Sequence, residues 1–234
     1  HILSNYKIGK AKIVTIHRGI NLDNFDSLKV SNERLISFSK KFNIPEDSYV
    51  VLLPGRITRW KGHTLLIEAI AKLERTDITC LLVGDSQGRK KYITELENLI
   101  NKVNLKNNFR IIENQTDMAA IYKLADVVVS ASLDPEAFGR VVAEAQAMGR
   151  PTVAVNHGGG SEIIIEGITG WLFKPGDSTD LAHKINKALS LNIEDRDKMA
   201  LKSIERTKLN FNNEMMCANT LKVYEELVKK RSLK

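Results

Sequence analysis

Glu136 and Glu144 stand eight residues apart in the stretch Asp134-Pro135-Glu136-Ala137-Phe138-Gly139-Arg140-Val141-Val142-Ala143-Glu144-Ala145. Carboxylates accept bidentate hydrogen bonds, and the vicinal hydroxyls of a sugar can donate them. Between the two, Gly139 is placed to open a helix, because a backbone without Cβ lets a ligand approach the first N–H groups. Those N–H groups and the helix dipole together favour an anion. At about 1.5 Å of rise per helical residue the two carboxylates would lie roughly 12 Å apart. That separation suits a ligand with hydroxyl-rich groups on either side of a phosphate, as in a nucleotide sugar. Two glutamates at this spacing also arise as plain solvated charges in a chain with 28 acidic residues. The surrounding elements must therefore decide between the two readings.

Those elements alternate from Tyr49 onward. Val50 to Leu53 is a continuous apolar run, followed by a loop and a helix near Thr64 to Leu73. Ile78 to Val83 reads as the next strand, and Tyr92, Leu96, Leu99 and Val103 recur at helical spacing. Phe109 to Ile112 is a third strand and Met118 to Leu124 a short helix. The apolar run Ala125 to Ala131 contains a fourth strand at Val127 to Ser130. The glutamate-bearing helix ends at Gly149 and Pro151, and Thr152 to Val155 and Gly170 to Phe173 add two strands. Asp177 with Ser178 caps a further helix, and a last helix is expected from about Asn212 to Lys230. Continuous apolar strands separated by amphipathic helices predict a doubly wound parallel sheet covered on both faces, an α/β fold. Ligands of such sheets bind beyond the carboxyl ends of the strands. Arg56, the loop around Asp134 and the turn His157 to Gly160 all fall there.

Composition narrows the function classes. With 43% hydrophobic residues in 234, the chain is globular, and 35 basic against 28 acidic residues give +7. The basic clusters Arg89-Lys90-Lys91 and Lys229-Lys230-Arg231 carry no interleaved aromatics and read as solvated faces, so no nucleic acid is implied. Two cysteines, Cys80 and Cys217, fit a reducing compartment and give neither a disulfide scaffold nor a zinc site. No apolar run is long enough to cross a bilayer and no signal peptide is visible, so a cytoplasmic protein is expected. The chain opens at His1 and reads as part of a longer protein, with a strand over Ala11 to Ile16 and a turn at Arg18-Gly19-Ile20-Asn21.

Pro135-Glu136-Ala137-Phe138-Gly139, Glu144-Ala145 and Met148-Gly149-Arg150-Pro151 resemble the signature of glycosyltransferase family 4. Gly55-Arg56 with Lys61-Gly62, Gly158-Gly159 with Glu162, and Gly167-Ile168-Thr169-Gly170 with Pro175-Gly176-Asp177 extend the resemblance over roughly residues 45 to 190. It implies a retaining transferase of the two-domain GT-B fold, of which this chain is the C-terminal, Rossmann-like half. Residues 1–22 would then end the N-terminal acceptor domain and linker, 23–210 would bind the donor, and 211–234 would form a helix returning to the N-terminal domain. Arg56 and Lys61 would stabilise the leaving diphosphate, with Gly55 beside them. Glu136 would bind the donor sugar, Glu144 the ribose, and the N–H groups of Phe138, Gly139 and Arg140 the sugar and diphosphate. The base would lie near Ile112 to Asn114. Arg140 replaces a common leucine, and Asn114 a frequent glycine. The implied partners are a nucleotide-diphosphate sugar, a glycan or lipid-linked acceptor of bacterial surface-glycan synthesis, the N-terminal domain, and a peripheral contact with the inner face of the cytoplasmic membrane. No cofactor or metal is implied. Asp195-Arg196-Asp197 sits in a charged helical stretch and reads as solvated surface.

Three rival readings are a non-catalytic nucleotide-binding domain, another GT-B reaction such as epimerisation, and an esterase. For the last, Gly84-Asp85-Ser86-Gln87-Gly88 matches a nucleophile elbow and His157-Gly158-Gly159-Gly160 an oxyanion-hole motif. Their order is reversed relative to that fold, and the residues after Gly88 do not launch directly into a helix. His63 and His183 are read as ordinary helical residues, and Trp60 and Trp171 as packing residues, with Trp60 flanking the phosphate loop.

Overall fold

Alternate residues of each strand enter different apolar layers, which is why the strands read as unbroken apolar runs. The computed structural model describes residues 13–232. Its strands are β1 (Tyr49–Pro54), β2 (Ile78–Val83), β3 (Phe109–Ile112), β4 (Val127–Ser130), β5 (Thr152–Val155) and β6 (Trp171–Phe173). They form one sheet in the order β3-β2-β1-β4-β5-β6, and every neighbouring pair is parallel. The order reverses between β1 and β4, where a crevice must open beyond the strand ends.

The helices are α1 (Asn32–Lys41), α2 (His63–Leu73), α3 (Lys90–Lys102), α4 (Met118–Leu124), α5 (Arg140–Ala147), α6 (Gly158–Ile163), α7 (Ser178–Leu189), α8 (Ile193–Asn210) and α9 (Asn213–Ser232). Val51, Leu53, Cys80, Leu82, Val127 and Val129 face the layer formed by α2, α3 and α7. Val50, Leu52, Leu81, Val83 and Val128 face the opposite layer, which includes residues of α1, α4 and α5. A third cluster joins Phe138, Val142, Ala143 and Ala147 to Ile163, Ile20 and Phe211. Each fully buried Leu, Ile or Val contributes about 1.5–3 kcal/mol relative to exposure, so both faces of the sheet are held apolar by the same effect.

Helix starts differ according to which strand precedes them. Ser31, Asp117, Asp177 and Asn192 cap α1, α4, α7 and α8 through their side chains. The helices after β1, β2, β4 and β5 have no side-chain cap. These starts cluster at the carboxyl ends of the central strands; backbone carbonyls take up part of the first amides of α3 and α6, so α2 and α5 are left the more open to an anion.

Three sequence expectations change, the first being that α3 begins at Lys90, directly after the Gly88 turn, where no direct launch into a helix was expected. Residues 13–16 form no strand, and positions 11 and 12 lie outside the described residues. The run finds no neighbouring strand to pair with, and Val14 is 62% exposed. Instead, Ile20 bridges to Asn212. The glutamate-bearing helix also starts only at Arg140, so Glu136 lies in the preceding loop and a helical rise does not measure its distance from Glu144.

Gly62 sits at φ 74°, and a Cβ there would stand 1.9 Å from the carbonyl oxygen of Ala131. This is where the β1 loop touches the end of β4. Gly176 has a similar φ of 72° but nothing within 4 Å of its Cβ position. Gly62→Ala is expected to lower unfolding stability by roughly 3 kcal/mol and Gly176→Ala by only about 1 kcal/mol. Urea unfolding of the two variants checks this; equal losses would show that the close approach is not a constraint.

Candidate functional site

The loop after β1 carries its cations on a short turn. Arg59–Lys61 is a 3-10 turn closed by Gly62, and it places Trp60 between two positive groups. The Lys61 ammonium lies 4.4 Å and the Arg56 guanidinium 5.7 Å from the Trp60 ring centre. Such cation–π contacts hold the cations without neutralising them. Trp60 is thus more than the packing residue expected from sequence. Trp171, in contrast, is 2% exposed in the core, as expected. The Lys61 side chain lies across Gly55, whose φ of 145° is one that glycine adopts without strain.

His63 fixes this turn from below. It is fully buried, and its Nδ1 lies 3.2 Å from the Thr58 carbonyl oxygen. A carbonyl only accepts, so Nδ1 carries the proton and donates, leaving Nε2 without a partner. Burial pushes the imidazole pKa down to about 4; the Thr58 hydrogen bond opposes this shift and Lys61 adds to it. The ring is therefore neutral near pH 7.

Across the crevice the β4 loop presents Glu136. Its Oε1 accepts a hydrogen bond from Lys61 Nζ at 2.7 Å and another from Ser132. The pair is mostly buried, with side-chain exposures of 12% and 17%. The loop is clamped by backbone: Gly159 N–H donates to the Glu136 carbonyl at 2.7 Å. A Cβ on Gly159 would fall 2.6 Å from Phe138 Cα, and one on Gly139 would fall 2.6 Å from Gly160 Cα. Phe138 is 7% exposed and anchors the loop in the third apolar cluster. Among the described residues, no acceptor meets the amides of Phe138, Gly139, Arg140 or Val141. His157 joins Ser132, Glu136 and Gly139 around a cavity of about 10 Å³, and both its ring nitrogens lack partners. Ser86 lies in the turn between β2 and α3, and among the described residues its hydroxyl forms no hydrogen bond to a histidine, the base an esterase would need.

Glu144 lies on the inward side of α5 at 7% exposure. Its Oε2 accepts from the Tyr122 hydroxyl at 2.7 Å, and its Oε1 from Arg140 Nη2 at 2.9 Å. Arg140 itself is 72% exposed. Burial, with Glu144 adding, raises the Tyr122 hydroxyl well above its ordinary pKa, so Tyr122 remains a donor. Ile112 shares the apolar cluster of Tyr122 and Ala145, which sets the end of β3 and Glu144 in one layer. Asn114 lies exposed two residues beyond β3.

The structure thus brings Glu136, Lys61, Gly55, Arg56, Phe138 and Gly139 to one crevice, with Glu144, Arg140 and Ile112 toward one face of the sheet. Three partners were not read from sequence: Tyr122, Ser132 and the cation-bearing Trp60. Tyr122 left a trace, because a tyrosine inside an apolar helical segment needs an acceptor for its hydroxyl. Ser132 left none. Asp195 to Asp197 lie in the first turns of α8, where Arg196 pairs with Asp126 at 2.8 Å. Among the described residues, no three His, Cys, Asp or Glu side chains gather as a metal ion would require. None of the described helices is long and apolar enough to cross a membrane.

Residues 36–206 match the family described as glycosyl transferases group 1. The chain is 33% identical over 159 residues to the lipopolysaccharide 1,2-N-acetylglucosaminetransferase of Salmonella typhimurium, which covers 64% of this chain and 42% of that protein. A glycosyltransferase structure from Rickettsia africae superposes with a TM-score of 0.94 at 37% identity, covering 98% of this chain and 61% of that one. Alr3699/HepE of Anabaena, solved in complex with UDP, gives a TM-score of 0.84 at 26% identity, covering 93% of this chain and 59% of that one. The chain spans about half the length of the curated relatives it matches.

The buried His63 yields a pH signature. The unfolded chain protonates this ring below about pH 6.5, whereas the folded chain resists until about pH 4. The stability it contributes is therefore full above pH 6.5 and is lost as pH falls from 6.5 toward 4. The stability gap between wild type and His63→Gln should shrink by roughly 2 kcal/mol between pH 7.5 and pH 5. Urea unfolding at the two pH values measures it, and a constant gap would mean that the ring titrates normally.

Proposed function

The chain belongs to the glycosyl transferases group 1, and from that premise we propose that it is the nucleotide-sugar-binding part of a retaining hexosyltransferase of family 4. The observation that carries this reading is the Lys61–Glu136 pair set against the bare start of α5. A cation, a carboxylate and free N–H groups meet within one crevice, and a sugar diphosphate requires all three.

In this reading the donor diphosphate draws Lys61 away from Glu136 and engages Arg56. The freed carboxylate accepts hydroxyl groups of the donor sugar. Glu144, steadied by Tyr122, accepts the ribose hydroxyls, and the base rests beyond Ile112 toward Asn114. As the bond from the anomeric carbon to phosphate oxygen lengthens, negative charge grows on the leaving diphosphate. Arg56, Lys61 and the amides of Phe138, Gly139 and Arg140 are positioned to stabilise that charge. Fixed donors cost no reorganisation at that moment, which makes them effective. The leaving phosphate would take the acceptor's proton, giving retention without a covalent nucleophile and without a metal ion being invoked.

The acceptor would be a glycan or a lipid-linked sugar, and the pathway a bacterial surface polysaccharide such as lipopolysaccharide or capsule. The Salmonella relative's lipopolysaccharide name supports that direction. Residues 1–22 would close the N-terminal domain and its linker, 23–210 would form the donor domain, and 211–234 would return to the N-terminal domain. The unpaired Cys80 and Cys217 support placement on the cytoplasmic side, at the inner face of the membrane.

Calorimetric titration with UDP, GDP and ADP and their hexose conjugates tests the reading. One nucleotide should bind, and Glu144→Ala should weaken it by about 10–100-fold, as should Lys61→Ala. An affinity that neither substitution alters would place the nucleotide elsewhere and sink the proposal.

A further inference from the structure

Arg89, Lys90 and Lys91 do more than decorate a solvated face. With Arg56, Arg59 and the rings of Trp60 and Tyr92 they line a cleft of about 710 Å³ beyond the ends of β1 and β2. Five cations converge there. Glu95 accepts from one of them, Arg59, at 2.7 Å. The Asp85 carboxylate accepts from the Gln87 amide at 2.6 Å. Among the described residues, no carboxylate pairs with Arg56, Arg89, Lys90 or Lys91. Arg89 Nη1 donates to the Ser86 carbonyl and Gln87 Oε1, yet no carboxylate offsets the four positive charges, which together attract an anion to the cleft.

One further feature points the same way. Helix α3 begins at this cleft without a side-chain cap, and although the Lys90 and Tyr92 amides donate to the Gly88 and Arg89 carbonyls, no acceptor among the described residues meets the Lys91 N–H. Tyr92 forms part of the wall at 4% exposure, and its hydroxyl has no partner. That hydroxyl is itself shut off from solvent, so Tyr92 lends the cleft its wall and not a donor. Tyr92 also stacks edge-on against His63 at 6.0 Å, which ties the wall to the turn that bears Lys61.

We propose that this cleft binds a phosphate group carried by the acceptor, making the acceptor a sugar phosphate or a phosphate-bearing lipid. The word acceptor rests on the transferase reading above; the anion site does not. The donor crevice lies on the β4 side of the Trp60 turn and the cleft on the β2 side, with Arg56 and Trp60 between them. A phosphate held by Arg89 and Lys91 would thus set the rest of the acceptor beside the donor sugar.

Amide NMR of this chain, saturated with UDP, can follow a titration with inorganic phosphate against sodium chloride of equal ionic strength. Phosphate should shift Gly88 to Tyr92, and the double variant Arg89→Gln, Lys91→Gln should weaken that response by about tenfold. The melting temperature of the variant should match wild type. Equal shifts with chloride, shifts confined to Gly139 to Val141, or an unchanged affinity in the variant would overturn the site. Glucose 6-phosphate and phosphatidylglycerol vesicles then identify the carrier by which binds more tightly than inorganic phosphate. If neither does, the acceptor assignment is wrong. Failure of UDP itself to shift Gly139 and Glu144 would count against the transferase reading alone, because the phosphate response is read at other residues.

Discussion

The Lys61–Glu136 pair is the contact on which the crevice depends. It joins the loops of β1 and β4 at the point where strand order reverses, so it spans the gap that a parallel sheet leaves open there. Both partners are mostly shielded, and two shielded opposite charges attract strongly only when their geometry is held. Backbone supplies that holding. Gly62 presses the β1 loop onto Ala131, and Gly159 donates to Glu136 from the β5 side. Loops from three strands therefore converge with almost no side chain between them. A ligand that separates the two charges need not rebuild the loops, because the loops are fixed independently of the pair.

The distribution of helix caps follows the same logic. Capping side chains occupy the amides of α1, α4, α7 and α8, which start away from the central strand ends. Around β1, β2, β4 and β5 that stabilisation is forgone. An unfilled helix start is a small stability loss per helix, about 1 kcal/mol for a missing cap. It is offset here by the apolar layers beneath each helix. Burial thus gives the fold enough margin to leave its polar groups free where a ligand would use them.

Much of this was legible in the chain. Six apolar runs became six strands, most with the expected bounds, because runs buried on both faces carry a strong local signal. Gly139 and Gly149 marked the limits of α5, since each sits at a left-handed φ at a helix boundary. What escaped notice depends on contacts between distant residues. Tyr122 and Glu144 are separated by 22 positions, and nothing in either segment specifies the other. The cluster at Arg89 reads as solvated surface until the fold sets it opposite Arg56 and Arg59. The strand expected at residues 11–16 shows the converse error: the local pattern suits a strand, but no neighbour supplies its ladder.

The bridge at Ile20 adds something about mechanics. Ile20 donates to the Phe211 carbonyl at 2.8 Å and accepts from Asn213 at 3.2 Å, while a Cβ on Gly19 would lie 2.3 Å from Asn212. Two lengths of chain nearly two hundred residues apart in sequence thus cross the rim of the domain laced together. A single strand of polypeptide is a swivel, free to turn about its own bonds. Two that are stitched side by side form a strap, which bends in one direction and resists torsion about its length.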